Sequence, residues 1–304
     1  MSSAGAVRRP PPRGRSPREH AAAPKARVHR TAQVGHVTVS VVEMDIAAAT
    51  TDAVVNAANT LSFMPMDGGV SGALRNACKP DDVCGAEKRW WDDEGTEHRD
   101  TKLDTAQAGV QPAAGGLLAR GVQHVVHAVG PIWSDYPIKD ATFSVVPPRI
   151  RRTVKRALAA AERVGARSCA LPAISGGIFT HYRPGSDIKE REQRAARLAV
   201  VQAVFEWSRG QDGGPLQSVQ LCDLGSRSKG SVQVFAEAFD EVLQQHLRRV
   251  EGAGDAAPER GPECLQGEAL AQAPRCGGEE EGSAAGGGGS RSAGRDGSEV
   301  QREP

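Results

Sequence analysis

The strongest constraint on this chain is a series of short apolar runs alternating with helical stripes through its middle. His36-Val-Thr-Val-Ser-Val-Val42 alternates apolar and polar residues, as a half-buried strand does. Ala53–Asn56, Val122–Ala128, Ser168–Leu171 and Ser218–Leu224 are apolar runs that suit strands covered on both faces. Ile150, Val154, Leu158 and Ala161 recur at helical spacing and stop before Gly165. Leu198, Val201 and Phe205 form a second stripe, and Phe235, Phe239 and Val242 a third. This alternation predicts an α/β fold around a mostly parallel sheet. In such sheets ligands bind at the carboxyl ends of the strands, so chemistry is sought in the loops that follow them.

The flanks read differently. Residues 1–34 are a basic Pro/Arg-rich arm, with eight Lys/Arg and one acid in the first 30 positions. Pro10, Pro11, Pro12 and Pro17 exclude a regular helix there, and the composition is that of a disordered segment. Residues 251–304 are an acidic tail with eleven acids, five Arg and 13 glycines, again expected to be disordered. The net charge of +1 therefore leaves the region between the flanks neutral. This excludes a charge-based case for a nucleic-acid-binding core and leaves any weak nucleic-acid contact to the basic arm. The six cysteines form no CxxC pair and no zinc spacing, which predicts reduced thiols in an intracellular protein, cytoplasmic or nuclear. No apolar run has the length of a membrane span, and no apolar stretch follows Met1 as a secretory signal requires.

Three strand-end loops carry candidate chemistry. Val55-Asn-Ala-Ala-Asn59 leads through Asp67 to Gly68-Gly-Val-Ser-Gly-Ala-Leu74, a glycine turn that opens a helix near Val70. Glycines there let backbone approach a ligand closely, and the helix start offers free N–H groups suited to phosphate. Leu171-Pro-Ala-Ile-Ser-Gly-Gly-Ile-Phe179 follows a second strand; Ser175, Gly176 and Gly177 can present consecutive N–H groups as an anion nest. In His127-Ala-Val-Gly-Pro-Ile-Trp133, Gly130-Pro131 ends a strand, and His127 is expected to pack in the core. No Gly-Lys-Ser/Thr or GxGxxG motif is present, and no Ser-His-Asp set stands at interpretable spacing. Asp81–Asp100, with Trp90 and Trp91, reads as a solvated, partly helical insertion with one Trp packed.

Together these loops resemble the macrodomain family. The NAAN tetrapeptide Asn56–Asn59, the Gly68-Gly-Val70 turn, the Val-Val-His-Ala-Val-Gly-Pro strand end and the Pro-Ala-Ile-Ser-Gly-Gly-Ile-Phe loop stand in the family's order, within residues 35–250. The resemblance implies a three-layer α/β/α fold with a mixed, mostly parallel central sheet, acting as a monomer on ADP-ribose or ADP-ribosylated proteins without metal or cofactor. It implies that Asp45 accepts from the adenine amino group and that Ile46 supports the ring. Asn59 would bind the distal ribose and orient a water. Gly68, Gly69 and Val70 would wrap that ribose and its phosphate. Ser175, Gly176, Gly177 and Ile178 would hold the diphosphate, with Phe179 packed on the distal ribose.

Two departures bear on activity. Ser71 stands where the hydrolase branch with a catalytic carboxylate has Asp. The stretch before Gly68 is about two residues longer than usual, which brings Asp67 forward as a replacement carboxylate or as a cap of the turn. The reading is release of mono-ADP-ribose from modified proteins, with Asn59, Asp67 and Ser71 as catalytic candidates. The alternatives are a reader module without turnover and a phosphatase of ADP-ribose phosphate esters.

Overall fold

The computed structural model describes residues 26–60, 68–81, 83, 85–181, 187–211, 213–225 and 231–254. These all fall in the unit Met1–Ala256. The arm up to residue 25, Asp67 and the tail from residue 255 lie outside the described residues.

Nine strands form one sheet: β1 Arg27–Val34, β2 Val37–Glu43, β3 Ala53–Ala58, β4 Lys88–Trp91, β5 Glu97–Asp100, β6 Ala108–Pro112, β7 His124–Val129, β8 Ser168–Pro172 and β9 Ser218–Asp223. Their order is β1-β2-β9-β8-β3-β7-β6-β4-β5. The five from β2 to β7 in that order are parallel, and the additions at either edge are antiparallel. Helices α1 Gly69–Ala77, α2 Gly115–Ala119, α3 Thr142–Arg163, α4 Ile188–Arg209 and α5 Ser231–Gly254 complete the domain.

Alternation along the strands makes the three layers. Val55, Val126, Cys169 and Leu171 point into one apolar cluster with Ile150, Leu158, Phe205 and Phe239 of α3, α4 and α5. Their neighbours Val54, Val125 and Ala170 point the other way, to Leu74 of α1 and Leu117 of α2. All three helical stripes named above lie in the first cluster, save Leu198, which is partly buried and packs against it, and Gly165 takes φ +78° just past α3.

Two expectations are corrected. Composition places residues 1–34 in a basic arm, yet Arg27–Val34 is an edge strand paired antiparallel with β2. Val34 is fully buried, and Arg30 bonds Asp240 of α5 at 2.7 Å, so pairing and docking override the basic composition. The charged segment around Trp90 and Trp91 is the β4–β5 hairpin, with no helix among its described residues. Gly95 at φ +86° and the Asp92 carboxylate, which accepts from Thr96 N–H, form the turn. Trp90 stacks on His98 at 4.3 Å, a cross-strand pair that favours the hairpin.

Candidate functional site

Because β2, β9, β8, β3 and β7 are parallel, their carboxyl ends lie at one end of the sheet. β3 and β8 are neighbours, and the start of α1 at Gly68–Val70 stands beside the turn after β8. A cleft opens between them in two parts. The first, about 330 Å³, is walled by Asp45, Ile46, Gly176, Arg197, Asp223 and Leu224, among others. The second, about 160 Å³, is walled by Gly68, Ser71, Ser175, Ile178 and Phe179 with Ala57 beneath. Gly69, Val70, Ala173 and Gly177 wall both parts, so the two adjoin along these residues.

The structure thus brings together Asp45, Ile46, Gly68, Gly69, Val70, Ser71, Ser175, Gly176, Gly177, Ile178 and Phe179. Asn59 stands one residue past β3, half-buried, and is not among the described residues that wall either part. Only Gly69 of the glycine pair has positive φ (+63°); Gly68 is extended and caps α1 without a side-chain bond. The first-turn N–H groups of α1 therefore lack a side-chain cap at the point where both parts of the cleft meet.

The second turn is held from behind by the loop after β7. Ser175 takes φ +57°, a conformation that costs a non-glycine residue of the order of 1–3 kcal/mol. Its Oγ donates to Pro131 C=O at 2.6 Å, and its own carbonyl accepts from the Trp133 indole N–H at 3.1 Å. Trp133 N–H also donates to Phe179 C=O at 2.8 Å, so one residue fixes both ends of the turn. Gly130 lies so close that any Cβ would overlap the Ser175 hydroxyl. The Gly130-Pro131 segment, taken from sequence as plain turn chemistry, is thus a support of the cleft. Arg197 and Asp223 were also not singled out; no local motif marks them.

The charged groups are few. Asp45 is exposed; its Oδ1 accepts from Ala47 N–H at 2.9 Å, while Oδ2 has no partner among the described residues. The turn it caps is pinned by Arg120, which donates to Ala47 C=O. Asp223 and Arg197 are paired, with Arg197 Nη2 2.7 Å and Nε 3.1 Å from Oδ2. Cys222 borders the first part, and burial pushes its thiol pKa up, which keeps it protonated and non-nucleophilic at neutral pH. Among the described residues no three His, Cys, Asp or Glu side chains converge on a metal position, and no helix is long and apolar enough to cross a membrane.

Behind Ser71 runs a buried polar chain. Asn56 Nδ2 lies 3.4 Å from Ser71 Oγ and 3.1 Å from His127 Nδ1. His127 is fully buried, as expected from sequence, and its pKa is pushed down to about 3, first by burial and then by Lys88. The ring is thus neutral in the folded state, whereas in the unfolded chain it takes a proton below about 6.5. The folded pKa is the lower one, so this contribution to stability is complete above about pH 6.5 and is lost as pH falls toward 3. Urea titrations should show stability falling by up to about 1.4 kcal/mol per pH unit across that window. His127→Gln should flatten this slope; an unchanged slope would assign the acid sensitivity elsewhere.

A sheet whose neighbouring strand tips carry two glycine turns over one cleft defines the class, and comparison supplies the family. The family model described as Macro domain matches residues 55–183. The chain is 31% identical over 219 residues to the ADP-ribose glycohydrolase of Archaeoglobus fulgidus, covering 70% of this chain and 97% of that protein. It therefore belongs to the macro domain family. It is also 30% identical over 218 residues to the human protein mono-ADP-ribosyltransferase PARP14, where the match covers 72% of this chain and 10% of that protein. The solved Oceanobacillus iheyensis macrodomain with ADP has the same fold, with a TM-score of 0.51 at 19% identity over 73% of this chain and 100% of that one.

Proposed function

We propose that this chain binds ADP-ribose in the cleft and releases mono-ADP-ribose from acidic side chains of modified proteins. The observation that carries the reading is that two parts of a cleft adjoin along both glycine turns, with the Asp45 carboxylate on the wall of the larger one. The purine lies between Asp45, Ile46 and Leu224, and its amino group donates to Asp45 Oδ2. The diphosphate takes N–H groups from Ser175, Gly177 and Ile178 and from the start of α1, while Gly176, whose own N–H donates to Ala173 C=O at 3.2 Å, lets the backbone come close. The distal ribose fills the smaller part against Phe179, near enough to β3's tip for Asn59 to orient a water. Acceleration then comes chiefly from positioning, whose ceiling in model reactions is about 7–11 kcal/mol.

A reader without turnover is the second reading, and one observation favours it. No carboxylate stands among the described residues of the smaller part, and Ser71 is buried against the Asn56 amide. A serine hydroxyl is by itself a poor general base near pH 7.

Calorimetry with free ADP-ribose tests binding. Asp45→Ala should cost about 1.5–3 kcal/mol, a tenfold or greater loss of affinity, since it removes a charged acceptor. Equal affinity in the variant removes Asp45 from the site. Release from a mono-ADP-ribosylated protein tests turnover: Asn59→Ala should abolish product, whereas tight binding with no release by the wild type makes the chain a reader.

A further inference from the structure

Among the described residues that wall the cleft, the formal charges are two carboxylates, Asp45 and Asp223, and one cation, Arg197. A diphosphate brings two further negative charges into a cleft that is already negative by one. Backbone N–H groups and a helix start offset part of this; the charged side chain that opposes it is Arg197.

The pair is oriented. Asp223 faces the strand side: its Oδ1 accepts from Leu224 N–H and Ser231 Oγ, both at 2.8 Å, and its Oδ2 accepts from Arg197. Arg197, on α4 and 5% exposed, faces the second glycine turn. Its Nη1 donates to Gln193 C=O at 3.1 Å and lies 3.4 Å from where a Cβ on Gly176 would stand. Three of its five N–H groups are taken by these bonds, which leaves donors on a buried, fixed guanidinium that borders the cleft. The guanidinium also lies 5.8 Å from the Phe235 ring, a further restraint on its position.

We propose that Arg197 is the specificity-determining residue of this cleft: its charge, aimed at the Ser175–Gly177 turn by Asp223, makes the cleft accept nucleotide diphosphates in preference to uncharged nucleosides. The proposal rests on the ADP-ribose reading above. Asp223 serves as the positioning residue that keeps the guanidinium under the turn.

The test is calorimetry with ADP-ribose and with adenosine on wild type, Arg197→Lys, Arg197→Gln and the pair Arg197→Gln/Asp223→Asn. The double variant avoids leaving Asp223 with an unpaired charge, and thermal melts report folding of each. The expected result is a tenfold or greater fall in the ADP-ribose to adenosine affinity ratio for Arg197→Gln, a smaller but clear fall for the double variant, and most of the ratio kept by Arg197→Lys. Adenosine affinity is measured on every variant as the reference for the ratio, because Arg197 and Asp223 wall the same part of the cleft as Asp45 and Ile46. A ratio unmoved in the double variant overturns the proposal, as does an equal loss of both ligands, which would make Arg197 a support of the fold alone. If the wild type binds neither ligand, the ADP-ribose reading itself falls; if it binds ADP-ribose and only the ratio fails to move, this inference falls by itself.

Discussion

Gly130→Ala is expected to weaken ADP-ribose binding by about tenfold or more while the domain stays folded. The added Cβ would overlap Ser175 Oγ and stand 2.6 Å from Ile174 Cγ2, and both neighbours are buried. Something must shift, and the turn is the softer partner, since Gly130 sits at the end of a strand fully paired on both sides. Overpacking of this kind costs about 1–3 kcal/mol. Here the cost falls on the segment whose N–H groups must converge on a phosphate, and about 1.4 kcal/mol is tenfold in affinity. A second substitution makes the test specific. Ser175→Gly removes the clashing hydroxyl and suits the φ of +57°, so the double variant should recover part of the binding lost in Gly130→Ala. Wild-type affinity in Gly130→Ala would show that the turn is not held from this side, and no recovery in the double variant would place the damage elsewhere.

The same contact shows what a linear reading reaches and what it does not. The parallel strands announce themselves by apolar runs, and all five run within two residues of the expected bounds; β7, for example, begins at His124, two residues after Val122. The glycine turns are visible because glycine is needed where backbone meets ligand closely, and the parallel sense of the central strands follows from the alternation with helices. The edge strands are harder. β1 alternates only weakly and is basic, and β4 with β5 are four residues each, stabilised by pairing and by the Trp90–His98 stack more than by a local pattern. Contacts such as Gly130 to Ser175 and Arg197 to Asp223 join residues 45 and 26 positions apart, and no spacing rule connects them. Asn59 marks the opposite limit: the tetrapeptide is legible, yet its last side chain does not wall the described cleft.

Trp133 carries the other large effect, and two substitutions separate its roles. It is fully buried, contacts Phe143 with ring centroids 5.4 Å apart, and belongs to the apolar cluster under α3. Trp133→Ala should therefore cost about 3–5 kcal/mol of stability, as large aromatic truncations in cores do, and lower Tm by on the order of 10 °C. Trp133→Phe keeps most of the apolar volume and removes only the indole donor. Ser175 C=O then loses its bond inside the protein, at a cost of about 1–3 kcal/mol. That cost is expressed at the turn: the carbonyl shares a peptide with the Gly176 N–H, which closes the turn on Ala173 C=O at 3.2 Å, and a peptide that rotates to find water breaks that closure next to the strained φ of Ser175. Trp133→Phe should accordingly melt within a few degrees of wild type yet bind ADP-ribose about tenfold more weakly, with adenosine much less affected because the Asp45 turn is held by contacts of its own, the Asp45 cap and Arg120. A Phe variant that binds ADP-ribose as wild type does would reduce Trp133 to a packing residue and leave the turn's geometry to Ser175 and Pro131 alone.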